Sequence, residues 1–142
     1  MKTKLTATTS VTIHAPASKV WEALVTPKIV KQYLFGADVE SDWKVGSAIR
    51  YTGVYDGKPF EEKGEIKQFE QGKVFQATNF SSMSGQEDKP ENYALVTYRL
   101  KADGSKTKLT ISQNNIGSEK GVENSKANWK GVLRSLKQTV EQ

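Results

Sequence analysis

Cysteine is absent from these 142 residues and histidine occurs once, at His14. Without cysteine there are no disulfides, thiolate zinc sites, iron–sulfur clusters or cysteine nucleophiles, and one histidine excludes multi-histidine metal sites and makes a histidine-based triad improbable. Proline is sparse, at 4 residues, and no run of 18 apolar residues occurs, so nothing reads as a transmembrane helix. The stretch Met1 to Thr9 is polar, without the apolar run of a signal peptide. The expectation is a soluble, intracellular, cytoplasmic protein. What is present fits one folded domain over residues 1–142. Apolar residues make up 36%, charged residues 26%, and 21 Lys+Arg against 16 Asp+Glu leave a net charge of +5, too little to force disorder. A chain of this length buries about 68–70% of its unfolded surface, enough for one sizeable core.

From Lys4 to His14, Leu5, Ala7, Val11 and Ile13 share one parity among β-branched neighbours, the period-two pattern of a half-buried strand. Pro16 suits a helix start, and Val20, Trp21 and Leu24 follow at helical spacing, predicting a helix from Pro16 to Val25. Thr26 caps a second helix opened by Pro27, with Ile29, Val30, Tyr33 and Leu34 as its apolar face up to Gly36. The turn dipeptides Val45-Gly46, Asp56-Gly57, Gln71-Gly72 and Asp103-Gly104 then punctuate runs rich in aromatic and β-branched residues. They predict antiparallel strands over Ala37 to Ser41, Ser47 to Tyr55, Lys58 to Phe69, Lys73 to Phe80, Tyr93 to Lys101 and Lys106 to Asn115, with a bulge at Gly64. The polar stretch from Ser81 to Asn92 reads as a loop long enough to act as a lid. After Ser118, Val122, Trp129, Val132, Leu133, Leu136 and Val140 mark one face of a helix of about twenty residues.

Residues spread along the chain carry a family resemblance. They are Ala15-Pro16-Ala17-Ser18-Lys19-Val20-Trp21-Glu22-Ala23-Leu24 with Thr26-Pro27 and Tyr33, Asp42-Trp43-Lys44-Val45-Gly46, Gly64-Glu65-Ile66, Val96-Thr97-Tyr98-Arg99-Leu100, Thr107-Lys108-Leu109-Thr110, and Trp129 with Leu133 and Leu136. In this order they resemble the START/SRPBCC superfamily, and within it the bacterial single-domain family related to the C-terminal part of the activator of heat-shock protein 90 ATPase (AHSA-like). The sequence departs from the family pattern at Glu70-Gln71-Gly72-Lys73, where a proline pair is common. The resemblance implies an α+β helix-grip fold, a curved antiparallel sheet of six to seven strands wrapped on the long C-terminal helix, with two short helices after the first strand. It also implies a cavity between sheet and helix for an apolar or amphipathic small molecule, lipid-like or aromatic. No cofactor or metal is implied, and a monomer is expected. Nothing in these residues corresponds to the separate N-terminal chaperone-binding domain of the eukaryotic activator, so a stress-response role as a heat-shock protein 90 co-regulator rests on the family name alone.

If the strands keep their parity, Ile49, Tyr51, Phe60, Glu62, Ile66, Val96, Tyr98, Leu109, Ile111 and Gln113 face inward, opposite Trp129, Leu133 and Leu136, with Tyr33 and Phe35 near the mouth. These side chains either line a cavity or fill the interior as solid core. The ligand-binding candidates are Tyr33, Phe35, Tyr51, Glu62, Tyr98, Gln113, Trp129 and Leu133. Glu62 is the most informative, because its parity aims a carboxyl inward and a buried carboxylate is costly unless paired. It is either a ligand-orienting acceptor or general acid/base, with Tyr51, Tyr98 or Gln113 beside it, or a side chain turned by a twist at Gly64 toward water or a lysine. With no second acid, nucleophile or metal facing it, no catalytic residue can be named. His14 reads as a surface or capping residue, and Asn79-Phe80-Ser81 as a chance glycosylation sequon. The helix face of Lys126, Lys130, Arg134 and Lys137 could track phosphates, but only three of the 21 basic residues are arginine, and a solvated helix looks the same. No nucleic-acid or membrane partner is expected. The alternatives to a small-molecule binder are a protein-interaction module and an enzyme of the cyclase or hydratase kind.

Overall fold

The computed structural model describes residues 4–142; part of the N-terminal stretch read above as lacking a leader lies outside them. Strand β1 (Leu5–Ile13) leads into two short helices, α1 (Ala17–Val25) and α2 (Pro27–Tyr33). Six strands follow: β2 (Asp38–Ser41), β3 (Ala48–Tyr55), β4 (Lys58–Glu70), β5 (Val74–Ser81), β6 (Ala94–Asp103) and β7 (Lys106–Ile116). Helix α3 (Glu119–Glu141) ends the chain. The sheet is antiparallel throughout, in the order β1-β7-β6-β5-β4-β3-β2. Because β1 and β2 occupy opposite edges, α1 and α2 must carry the chain across, and the meander from β2 to β7 then returns it. This is the α+β helix-grip arrangement, with two helices after the first strand and a long helix at the end.

Local chemistry places the elements. Asp56 and Gly57 both have positive φ, 52° and 76°, in a two-residue turn that pairs Tyr55 with Lys58, the backbone that right-twisted hairpin strands favour. Helix α2 ends at Tyr33, short of the expected Gly36, because Phe35 and Gly36 turn left-handed and the Gly36 N–H closes the end on the Lys31 carbonyl at 2.9 Å. Helix α3 starts where Ser118 accepts a hydrogen bond from the Gly121 N–H at 3.0 Å. Its 23 residues extend about 34 Å. At its far end Glu141 accepts from the His14 N–H (2.7 Å) and from Lys137, whose ammonium also reaches the Thr12 carbonyl. These bonds tie the end of α3 to the end of β1.

Two local expectations are corrected. The register shift in β4 lies between Ile66 and Gln68, not at Gly64; it exposes Gln68 and turns Phe69 to the core. Gly64 has another purpose, since a Cβ there would lie 1.7 Å from the Thr78 carbonyl oxygen. The loop after β5 holds a 3₁₀ turn at Pro90–Asn92 and is anchored. Asp88 accepts from Tyr93 Oη at 2.6 Å and pairs with Lys63 at 2.5 Å, and Phe80 stacks on Tyr93. Lys63 has the opposite parity to Glu62, so these contacts hold the loop against the outer face of the sheet. It is not a lid over the inner face.

The core lies between the inner face and the helices, built on Ile13, Leu24, Ile66, Phe75, Leu109 and Ile111 with Leu133 and Leu136. Aromatic rings continue across it: Trp21 packs edge-on against Phe69, Phe69 meets Phe75, Phe75 stacks on Tyr98, and Tyr98 meets Trp129 edge-on. Helix α3 lies closest to β1 and β7, and the inner face of β3 to β5 remains uncovered by it.

Candidate functional site

That uncovered region is a cavity of about 470 Å³. Its sheet wall is Ile49 and Tyr51 of β3, Phe60 and Glu62 of β4, Ala77 and Asn79 of β5, Val96 and Tyr98 of β6, and Gln113 of β7. One stripe of α3 faces them: Gly121, Ser125, Asn128, Trp129 and Val132 recur every three or four residues. Phe35, Val54 and Tyr55 border the open end and are 74%, 67% and 69% exposed. They form an apolar rim at the tips of α2 and the β3–β4 hairpin.

The hydrogen-bonding groups of the wall divide into committed and free. Gln113 Oε1 accepts from Trp129 Nε1 at 2.9 Å and from Ser125 Oγ at 3.2 Å. This fixes the amide and leaves its NH₂ group without a protein acceptor among the described residues. Glu62 sits across from Tyr51 on β3 and Ser81 on β5, and its Oε1 accepts from Asn79 Nδ2 at 3.2 Å. Burial raises the Glu62 pKa, and the Asn79 hydrogen bond opposes that rise. Burial also raises the phenol pKa values of Tyr33, Tyr51 and Tyr98; Tyr51 adds to the rise at Tyr33 and Tyr98, and Glu62 to that at Tyr51. All three phenols therefore stay neutral. Among the described residues none of their hydroxyls has a hydrogen-bond partner, so those of Tyr51 and Tyr98 are available within the cavity wall.

Of the eight predicted site residues, the structure brings six to the cavity: Phe35, Tyr51, Glu62, Tyr98, Gln113 and Trp129. Tyr33 and Leu133 are buried in the core instead. Leu133 follows Trp129 by four residues on the same side of α3, where it joins the core cluster. Tyr33 is turned inward from α2 into the core cluster. Ile66, Leu109 and Ile111 likewise face inward but lie in solid core. Asn79 was missed as a site residue; its parity with Phe75 and Ala77 puts a polar side chain on an inward strand face, which was the available signal. The same holds for Ser125, four residues before Trp129 on one helix face. Among the described residues no cluster of His, Asp or Glu could hold a metal, and no helix is long and apolar enough to cross a membrane.

A family model described as "Activator of Hsp90 ATPase homolog 1-like protein" matches residues 14–141. Among solved structures, the solution structure of ChR145 from Cytophaga hutchinsonii is 43% identical, covering 99% of this chain and 97% of that one, with a TM-score of 0.85. The Aha1 dimer from Colwellia psychrerythraea shares 18% identity, with 96% of each chain covered and a TM-score of 0.76. CalU16 from Micromonospora echinospora shares 17%, covering 99% of this chain and 86% of that one, with a TM-score of 0.71. At such identities the last two show the fold alone. Among curated proteins none matches the chain.

Proposed function

The chain belongs to the family of activator of Hsp90 ATPase homolog 1-like proteins, and from that premise we propose that it is a cytoplasmic, monomeric carrier of a small apolar or amphipathic molecule, lipid-like or aromatic, held between its sheet and α3. One observation carries this reading. The part of the inner face around Tyr51, Phe60, Glu62 and Asn79 borders open space, and that space is walled by apolar side chains with a few free polar groups. That volume falls within the range of small-molecule sites, about 300–1,000 Å³, and the wall chemistry suits a ligand that is mostly apolar with one or two polar groups. The rim of Phe35, Val54 and Tyr55 gives such a molecule an apolar approach. Isothermal titration with neutral aromatic alcohols, sterols and monoacylglycerols tests the proposal. One-to-one binding that is weakened by Ser125→Phe, which sets a ring in the cavity, is the expected result. No saturable heat from any class would refute it.

The same rim supports a second reading. Three exposed apolar side chains at one end of the molecule suit a protein contact, as in a chaperone co-regulator. Binding of a protein partner that is lost in a Phe35→Ser, Tyr55→Ser double variant, with small-molecule titrations silent, would favour it over the first. A cyclase or hydratase reading would rest on Glu62 with the Tyr51 and Tyr98 phenols of the same cavity.

A further inference from the structure

Glu62 is the only Asp, Glu, Lys, Arg or His side chain that lines the cavity among the described residues. The cations nearest to it in sequence and across the ladder are committed on the outer face. Lys63 pairs with Asp88 at 2.5 Å, and Arg50 with Glu61 at 2.6 Å. The groups tied to the carboxyl are Tyr51 from β3, Asn79 from β5 and Tyr98 from β6, and the polar side chains that share its cavity are Gln113 from β7 and Asn124, Ser125, Asn128 and Trp129 from α3. None is cationic, and only Asn79 donates to it. A carboxylate with low solvent access and no cation is costly, and a bound molecule that displaces water must supply the missing donor.

Resting on the reading that this cavity is a binding site, we propose that it selects ligands bearing a protonated amine, received by Glu62, on an apolar body that lies against Val96, Tyr98 and Trp129. An ammonium supplies charge-assisted hydrogen bonds to the carboxylate, and the neighbouring phenol and indole faces attract a cation. A carboxylate ligand meets a like charge there and no lysine or arginine to bind it. The inference therefore excludes free fatty acids as preferred ligands.

The test compares three probes of one skeleton, naphthylethylamine, naphthylethanol and naphthylacetate, by calorimetry on the full chain near neutral pH. The amine is expected to bind at least about tenfold tighter than the alcohol, and the acetate weakest. Glu62→Gln should abolish the amine's advantage, bringing the amine-to-alcohol affinity ratio to within about threefold of one. Equal affinities, an acetate preference, or an amine preference that persists in Glu62→Gln would overturn the inference while leaving the cavity reading intact. Silence from all three probes and from the neutral panel above would overturn both. The wild-type chain gives a second readout that needs no variant. Amine affinity should fall on acidification as Glu62 takes up its proton while alcohol affinity stays level, and parallel curves would contradict the proposal.

Discussion

Glu62 costs the fold stability at neutral pH, and the sign of that cost can be measured. Burial raises its pKa above the unfolded value, so between the ordinary carboxyl range and the elevated value the folded chain holds more protons than the unfolded one. Stability then falls as pH rises through that window. Glu62→Gln keeps the shape and an acceptor for Asn79 but carries no charge. Its melting temperature should exceed that of the wild type at neutral pH, with the difference vanishing below the ordinary carboxyl range; thermal unfolding at both pH values checks this, and a pH-independent difference would contradict it. Phe35 is a second residue held against local preference, at φ 55° and largely exposed. A bulky side chain in the left-handed region is strained by about 1–2 kcal/mol, and asparagine tolerates that region. Phe35→Asn should leave stability unchanged or raise it by up to about 1 kcal/mol, while lowering ligand affinity; chemical denaturation and calorimetry read the two effects separately. The inward aim of Glu62 was legible from strand parity. Its partner Asn79 was not, because pairing across strands is fixed only when the register is.

At the scale of elements, the β4–β5 contact at Gly64 has the least tolerance. A Cβ there overlaps backbone atoms of Thr78, which cannot rotate away, so Gly64→Ala should destabilise by about 2–4 kcal/mol in urea unfolding. A loss below about 0.5 kcal/mol would contradict this close approach. The glycine itself was legible as special, but its reason was not, because the register shift further along β4 depends on a partner strand that the local pattern does not identify. The loop between β5 and β6 gives the opposite expectation from a lid. Anchored to the outer face by Asp88, it should show the same amide exchange with and without ligand, and Asp88→Ala should speed that exchange while ligand affinity changes less than about twofold. Protection that appears only with ligand would restore the lid. Loop length and polarity are readable from the sequence, but the face on which a loop settles depends on tertiary contacts such as those of Asp88 with Lys63 and Tyr93.

Across the whole molecule, strand order follows from connectivity: short turns pair neighbours, and the two helices carry the chain from β1 at one edge to β2 at the opposite edge. Most of that was legible, since Asp-Gly turns, alternating strands and the α3 stripe each point to the same arrangement. The empty space was not. Parity tells which side chains face inward, but not how far the facing helix stands off, and α3 shows both outcomes along one stripe, with Trp129 and Val132 at the cavity and Leu133 and Leu136 in solid core. Where along the stripe the cavity gives way to core is a tertiary fact. The three tryptophans turn this division into a direct test of the central claim. Trp129 lines the cavity and donates its indole N–H to Gln113, whereas Trp21 and Trp43 pack in the aromatic cluster away from it. The decisive measurement is an NMR titration of the three indole N–H signals with a bound amphipathic ligand. The account predicts that the Trp129 signal shifts and saturates with the binding isotherm while those of Trp21 and Trp43 stay in place; binding that leaves Trp129 unmoved would contradict it.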